Sequence, residues 1–431
     1  MSKLTHRIEK KAVEILVDRI MAERNPADRQ KTLKRLSYVM QHLFGDLFEK
    51  ESFDDARRLI DEGGKWFRFL NTALDTLNPH VVKTAVMDLG FEAGFYGLRT
   101  RDAAKAKYHC NIPWAILFDP TSACNLHCIG CWAAEYGHTL NLSFDVMDKI
   151  VREGKALGCH FYLLTGGEPL MRKKDILRLC RKHPDCEFHA FTNGTLIDDA
   201  FCDEVTDVGN LSFSLSIEGF REVNDSRRGE GDFDKVMHAM DLLRKHGIVF
   251  GTSICYTRKN IDTVTSDEFL DLLIKKGVWF TWYFHYMPVG NDASLDLLPT
   301  EEQRAYMVRR VREIRSVKGG QADFRHRFPE RWPVHRRLRR WRPQLLPYQP
   351  QWRRRTVRLH PLFQRQYQQS EPALMLAAAA LQRICQRPAL QPQPSAPVSD
   401  AGKSAVFSRH GQTQWCQIDG PAVAGIGRTL M

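Results

Sequence analysis

Between Ile112 and Pro288 the chain repeats one pattern six times: a short run of β-branched and aromatic residues, a polar turn, then an amphipathic stretch of helical period. The runs expected to be strands are Trp114–Phe118, His160–Leu164, Glu187–Phe191, Leu211–Ile217, Ile248–Cys255 and Val278–His285. Helices fit between them, after Ser143 and from Lys173, Ile197, Asp232 and Asp267, with Gly158 and Gly247 as stops. Strands separated by helices do not pair as hairpins. They pair in parallel through right-handed crossovers, and the helices cover the sheet. The expected fold is therefore α/β, a parallel sheet closed or partly closed into a barrel. In such a barrel the active site lies at the C-terminal ends of the strands, so the residues just after each run are the ones to read for chemistry.

Ahead of this core, from His6 to about Gly97, the period is helical: Asn25-Pro26 sets a cap and first turn, and Leu33, Leu36, Val39, Met40 and Leu43 recur at spacings of three and four. We expect a helical N-terminal region over 1–110 and a core over 111–320. The N-terminal aromatics Trp66, Phe67, Phe69, Phe91, Phe95 and Tyr96 suit a substrate entrance or a membrane-facing surface, but such residues mostly fill cores. Hydrophobic residues at 43% and charged residues at 26% argue against a mostly disordered chain and against a membrane protein. No apolar run approaches the ~20 residues that span a bilayer; the longest, Ala373 to Leu381, is mostly alanine. The charged N-terminus is unlike a signal peptide, so a cytoplasmic protein is expected.

Most of the 11 cysteines are scattered singly and read as small buried hydrophobes. Three are not. The first strand runs into Asp119-Pro-Thr-Ser-Ala-Cys124-Asn-Leu-His-Cys128-Ile-Gly-Cys131-Trp132, which places three thiols on one loop. Three thiolates can hold zinc together with His127 or His109, or three irons of a [4Fe–4S] cluster, or remain as plain thiols. The lack of a second cysteine pair favours the cluster, with one iron left for an exogenous ligand.

The second strand ends in Thr165-Gly166-Gly167-Glu168-Pro169. Two glycines let backbone approach a ligand, and Glu168 can accept from an ammonium. A phosphate cradle is a poor reading, since the acid repels phosphate and no Gly-Lys-Ser/Thr follows.

Taken together, Cys124-x3-Cys128-x2-Cys131 and Gly166-Gly167-Glu168-Pro169 resemble the radical S-adenosylmethionine (radical SAM) superfamily, in its SPASM-like group. The resemblance runs from about residue 112 to 290 and implies a partial (β/α)6 barrel. It further implies a [4Fe–4S] cluster on the three cysteines, S-adenosylmethionine chelating the fourth iron, and Gly166, Gly167, Glu168 and Pro169 receiving its amine. An electron from the cluster then cleaves the sulfonium carbon–sulfur bond, and the resulting radical takes a hydrogen atom from a peptide or small-molecule substrate; a flavodoxin or ferredoxin is the implied reductant. Thr192-Asn193-Gly194 and Ser214-Leu-Ser216-Ile-Glu218-Gly219 resemble the segments that meet the ribose and methionine parts of the cofactor, which points to Asn193 and Ser216. Asn224-Asp225-Ser-Arg227-Arg228-Gly229 resembles a stretch whose arginine, here Arg227, pairs with the methionine carboxylate. One departure stands out: relatives place an aromatic before the third cysteine, where this chain has Gly130 and then Trp132. The aromatic run Trp279 to Pro288 suits a substrate cavity wall, with packing of a buried strand as the plainer account.

Past Gly320 the alternation stops. Residues 321–431 hold 17 arginines and one lysine against five acids, a net +13, so the overall +12 leaves residues 1–320 at −1. Arginine runs with tryptophan, Arg336 to Arg342 and Trp352 to Arg355, fit an RNA-binding arm of an RNA-modifying enzyme. They equally fit GC-rich coding DNA read out of frame. Shifted by one nucleotide, codons for Gln351 to Arg358 and for the run from His335 permit strings resembling the cysteine-bearing SPASM extension. As written, the tail offers only Cys385 and Cys416, too few for a second four-thiolate cluster. Its self-repelling charge and poor apolar period predict a largely disordered segment, and loss of the native C-terminus would leave a catalytically inactive iron–sulfur protein.

Overall fold

The computed structural model describes residues 3–133, 139–289, 293–315 and 356–359. The six expected strands are present as β1 (Ala115–Thr121), β2 (Phe161–Gly166), β3 (Glu187–Thr192), β4 (Leu211–Ser216), β5 (Phe250–Tyr256) and β6 (Thr281–His285), all parallel and neighbours in chain order. They form a half-barrel. Strand ends shift by a few residues: β1 runs through Pro120 to Thr121 with an irregularity after Phe118, whereas β5 and β6 begin two and three residues later than the apolar runs suggest. A seventh strand, β7 (Thr356–Leu359), lies parallel to β1 in register Ala115 with Thr356. The hydropathy pattern past 320 gives no sign of it. The rest of the arginine-rich tail lies outside the described residues.

The N-terminal region is helical throughout: α1 (Lys3–Ala22), α2 (Pro26–Phe44), α3 (Lys50–Asp61), α4 (Lys65–Thr76), α5 (Pro79–Ala85), a π-helical segment Val86–Tyr96, and α6 (Gly97–Tyr108). Asn25 and Asn78 cap α2 and α5 by accepting from Ala27 and His80 N–H, each followed by proline at the first helical position. Phe44, Phe48, Phe53 and Phe91 form a separate apolar core with Val13, Val17 and Met87, and Phe95 and Tyr96 pack against it. Phe91, Phe95 and Tyr96 are thus accounted for by packing.

Crossovers α7 (Phe144–Ala156), α8 (Lys173–Lys182), α9 (Asp199–Val208), α10 (Arg221–Arg228), α11 (Asp232–Lys245), α12 (Ile261–Val264) and α13 (Asp267–Lys276) follow the strands in turn, and α14 (Glu301–Arg315) comes last. Ser143, Asp198 and Ser266 cap α7, α9 and α13. Alternation along the strands separates two faces. Phe118, Tyr162, Leu164, Phe188 and Phe213 pack outward on helix residues such as Met147, Ile176, Phe201 and Met240, all fully buried. Each such side chain contributes roughly 1.5–3 kcal/mol. Ala115, Phe161 and Leu163 turn to the concave face, where Ala93 of the π-helical segment meets them at the N-terminal ends of the strands. That end is closed. The opposite end, where the loops after β1 to β6 gather, is the mouth. Among the described residues no helix is long and apolar enough to cross a membrane.

Candidate active site

Hydrogen bonds fix the cysteine loop at the mouth from two sides. On one side, Asn125 Nδ2 donates to Thr195 Oγ1 at 2.7 Å and its Oδ1 accepts from Asn193 Nδ2 at 2.8 Å, while Asn193 Oδ1 accepts from Thr195 N–H. The loop is thereby tied to the turn after β3. On the other side, Ile129 N–H donates to the Arg227 carbonyl at 2.9 Å and Arg227 Nε donates to the Ile129 carbonyl at 3.2 Å, which ties it to α10. Cys124, Cys128 and Cys131 are each half-buried on this loop. Burial pushes the Cys124 thiol up to about 11, with the carboxylate of Glu168 and the other two thiols adding to it; burial also raises Cys128, against the pull of Arg228, whose Nη1 stands 3.9 Å from its sulfur.

The Gly-Gly-Glu-Pro segment turns directly beneath this loop. Gly167 N–H donates to the Thr121 carbonyl and Glu168 N–H to the Ala123 carbonyl, so the ends of β1 and β2 stay joined past the sheet. Only glycine fits. Gly166 has φ +112°, and a Cβ there would stand 2.3 Å from the Thr121 oxygen; one on Gly167 would stand 2.2 Å from the Ala123 oxygen. Pro169 is buried and opens a short turn that Glu168 caps. The Glu168 carboxylate, 1% exposed, takes Leu170 N–H and Thr192 Oγ1 on one oxygen and Asn193 N–H on the other. Burial nonetheless pushes its pKa up to about 6, because desolvation outweighs those three donors. The three donors on this carboxylate come from Leu170, Thr192 and Asn193.

Ser216 sits half-buried at the last position of β4, on the strand face of Ser212 and Ser214. Arg227 lies in the last turn of α10, and its Nη1 donates to Glu218 Oε1 at 2.5 Å. Arg228 donates to the same oxygen through Nε at 3.1 Å and Nη2 at 2.6 Å, while Cys255 N–H donates to Glu218 Oε2. Glu218 is fully buried. This Glu218–Arg227–Arg228 cluster, and the Asn125–Thr195 tie, were missed by sequence reading. Their signal was positional: Glu218 lies two residues past β4, and Asn125 lies next to Cys124.

Where relatives carry an aromatic before the third cysteine, Gly130 adopts φ +68°, and a Cβ there would meet Tyr286 Oη at 2.7 Å. Tyr286 from the end of β6 fills that space and its hydroxyl accepts from Ser294 N–H. Below the mouth, Trp282 and Phe284 lie nearly parallel, 6.2 Å between centroids, with Phe191 edge-on to both and His189 beside Phe191 and Trp282. The β6 rings are all half-buried, and Tyr283 instead points outward to donate to the Val264 carbonyl. His189 accepts or donates between Ser212 and Ser214 at 3.0 and 2.8 Å, and burial lowers its pKa to about 3.

Residues 118–273 match the family model of the radical SAM superfamily. The core of this chain belongs to that superfamily. The radical SAM core is 29% identical over 201 residues to Fe-coproporphyrin III synthase of Methanosarcina barkeri, covering 44% of this chain and 48% of that protein. It is also 29% identical over 201 residues to the mycofactocin maturase MftC of Mycolicibacterium smegmatis, covering 44% and 50%. A crystal structure of Streptococcus suis SuiB with its precursor peptide SuiA superposes with a TM-score of 0.43 at 18% identity, covering 54% of this chain and 50% of that one. The chain spans about half the length of the curated relatives it matches. Radical SAM proteins carry a [4Fe–4S] cluster, use S-adenosylmethionine and need a one-electron reductant. The donor set fits that cofactor: three soft ligands on one half-exposed loop, with no fourth cysteine on it.

Proposed function

We propose that this protein is a radical SAM enzyme in which Cys124, Cys128 and Cys131 hold a [4Fe–4S] cluster. When bound, the cluster and S-adenosylmethionine supply reductive carbon–sulfur cleavage and abstraction of a hydrogen atom from substrate. The observation that carries the reading is the convergence of the cysteine loop, the Gly166–Gly167 turn and the Asn193 turn at one mouth of the half-barrel. Zinc suits this loop less well. A tetrahedral ion needs sulfurs within roughly 4 Å of one another, and among the described residues the three thiols do not form a group with all ligand atoms inside 4.8 Å.

In this reading the backbone of Gly166 and Gly167 meets the amine of S-adenosylmethionine. Glu168 and Pro169 set the turn that presents it, with the Glu168 carboxylate clamping β2 to β3. Asn193 orients the cysteine loop through Asn125, and Ser216 borders the nucleoside. Arg227 spends Nε and Nη1 on protein partners and meets a methionine carboxylate through its remaining nitrogen. The substrate is a peptide or small molecule whose reacting part rests on the Phe191–Trp282–Phe284 wall, an apolar aromatic surface. A relative named as an Fe-coproporphyrin III synthase is compatible with that wall. The electron comes from a flavodoxin or ferredoxin.

The test is anaerobic: reconstitute with iron and sulfide, reduce, add S-adenosylmethionine, and quantify 5′-deoxyadenosine against the Cys124/Cys128/Cys131→Ala variant. Wild type should form it and the variant should not. A purified chain that takes up zinc on this loop and assembles no cluster overturns the proposal, and a cluster without deoxyadenosine marks a non-catalytic iron–sulfur protein.

A further inference from the structure

At the closed end of the half-barrel, opposite the mouth, three potential ligands of different chemistry converge. His160 precedes β2, and Asp185 and Cys186 precede β3. Their donor atoms all lie within 4.8 Å of one another. His160 Nδ1 is 4.0 Å from Cys186 Sγ and 4.0 Å from Asp185 Oδ2. His160 is 4% exposed and Cys186 fully buried, so this is no solvated surface cluster. Lys155 takes the other Asp185 oxygen, Oδ1, at 2.5 Å, which leaves Oδ2 turned toward the imidazole and thiol.

Two further carboxyl groups are buried near the starts of these strands without a full set of partners. Asp88 of the π-helical segment is 2% exposed, and its Oδ2 is buried with no hydrogen-bond partner among the described residues; Glu187 Oε2, beside Cys186 in sequence, is in the same condition. Burial raises the Asp88 carboxyl to about 9 and the Glu187 carboxyl to about 8, so both sit protonated at neutral pH. The nearby bases are already engaged: Lys10 and His6 bond Glu92, and Lys155 bonds Asp185. π-helical turns recur at functional sites, where they bring a side chain out of regular register.

We propose that His160, Asp185 and Cys186 form a binding site for one divalent transition-metal ion, zinc by its nitrogen, oxygen and sulfur chemistry. Tetrahedral coordination at ordinary zinc bond lengths sets ligand atoms roughly 3.3–3.6 Å apart, so the present 4.0 Å separations need to contract by about half an ångström. His160 Nδ1 gives up its 2.9 Å contact with the Asp185 carbonyl on binding, and the ring proton moves to Nε2. Three protein donors leave one position of a tetrahedral ion for water. The ion would fasten the start of β2 to the start of β3, at the end of the sheet away from the chemistry.

Cobalt(II) is the probe, because a bound thiolate gives a near-ultraviolet charge-transfer band. The full chain carrying Cys124, Cys128 and Cys131→Ser is titrated, so that the loop at the mouth contributes nothing. The proposal expects one cobalt per chain with a thiolate band, displacement of that band by zinc, and a zinc-dependent rise in melting temperature. Cys186→Ala should abolish the band and His160→Gln should weaken binding at least tenfold, while Cys202→Ala, a buried cysteine elsewhere in the core, should leave both unchanged. No thiolate band in the folded triple-serine chain overturns the proposal, as does a band that persists in Cys186→Ala. Should the Cys186 or His160 variants fail to fold, the band and its displacement by zinc in the parent chain decide the question.

Discussion

Replacing Glu218 by Gln removes the one negative charge at the centre of the Arg227–Arg228 cluster. Glu218 is fully buried, and the two arginine side chains are 13% and 11% exposed. Glutamine keeps the shape and one acceptor, so little packing is lost. What changes is charge: two guanidinium groups, both with pKa raised by the carboxylate against burial, are left facing each other in a poorly solvated place. Removing one partner of a buried ion pair costs about 3–5 kcal/mol, most of it the desolvation of what remains. With a urea slope near the upper end of the usual range, ~3 kcal/mol/M, the unfolding midpoint should fall by about 1 M or more. Tryptophan fluorescence of the cluster-free protein in urea reads this directly. Asp234→Asn supplies the control, since it breaks the Arg221–Asp234 pair, in which both side chains are well exposed, and should leave the midpoint in place. Because Arg227 also clamps Ile129, Glu218→Gln should in addition shed iron faster than wild type. A midpoint shift below about 0.3 M, or equal shifts in the two variants, would refute the reasoning that burial gives this cluster its weight.

Gly167→Ala should fold but load iron poorly, because its Cβ would stand 2.2 Å from the Ala123 carbonyl and 2.4 Å from that of Ser122, and the cysteine loop must move by about 1 Å to restore ordinary contact; iron content per chain after reconstitution checks this. His189 should give the stability a measurable pH slope. The unfolded imidazole takes a proton near 6.5 and the folded one only near 3, so stability falls as pH drops below 6.5, by about 2 kcal/mol at pH 5; His189→Gln should flatten that slope, and parallel curves for the two proteins would exclude the buried neutral state. Tyr162→Phe should cost about 1–3 kcal/mol in urea unfolding, since the hydroxyl bridges the buried Val151 and Cys159 carbonyls and its loss strips them of a donor.

The sequence by itself determined the order of strands, the helices between them and the thiol loop, because each depends on local information: period-two and period-3.6 apolar patterns, caps such as Ser143 and Ser266, and three cysteines within eight residues. Gly166 and Gly167 were also legible, since only glycine tolerates so close a backbone approach. Tertiary structure decided the partners. Glu168 and Asn193 were read as facing a ligand, and the approach of β2 to β3 also gives the carboxylate donors from Thr192 and Asn193 and ties the Asn193 amide to Asn125. Arg227 was read as the partner of a methionine carboxylate, and α10 also turns it onto Glu218, nine residues earlier in the chain. His160 and Cys186 are separated by 26 residues and carry no common motif. Hydrogen bonds and buried charges of this kind depend on which elements the sheet brings within a few ångströms of one another, a long-range property that no window of residues encodes.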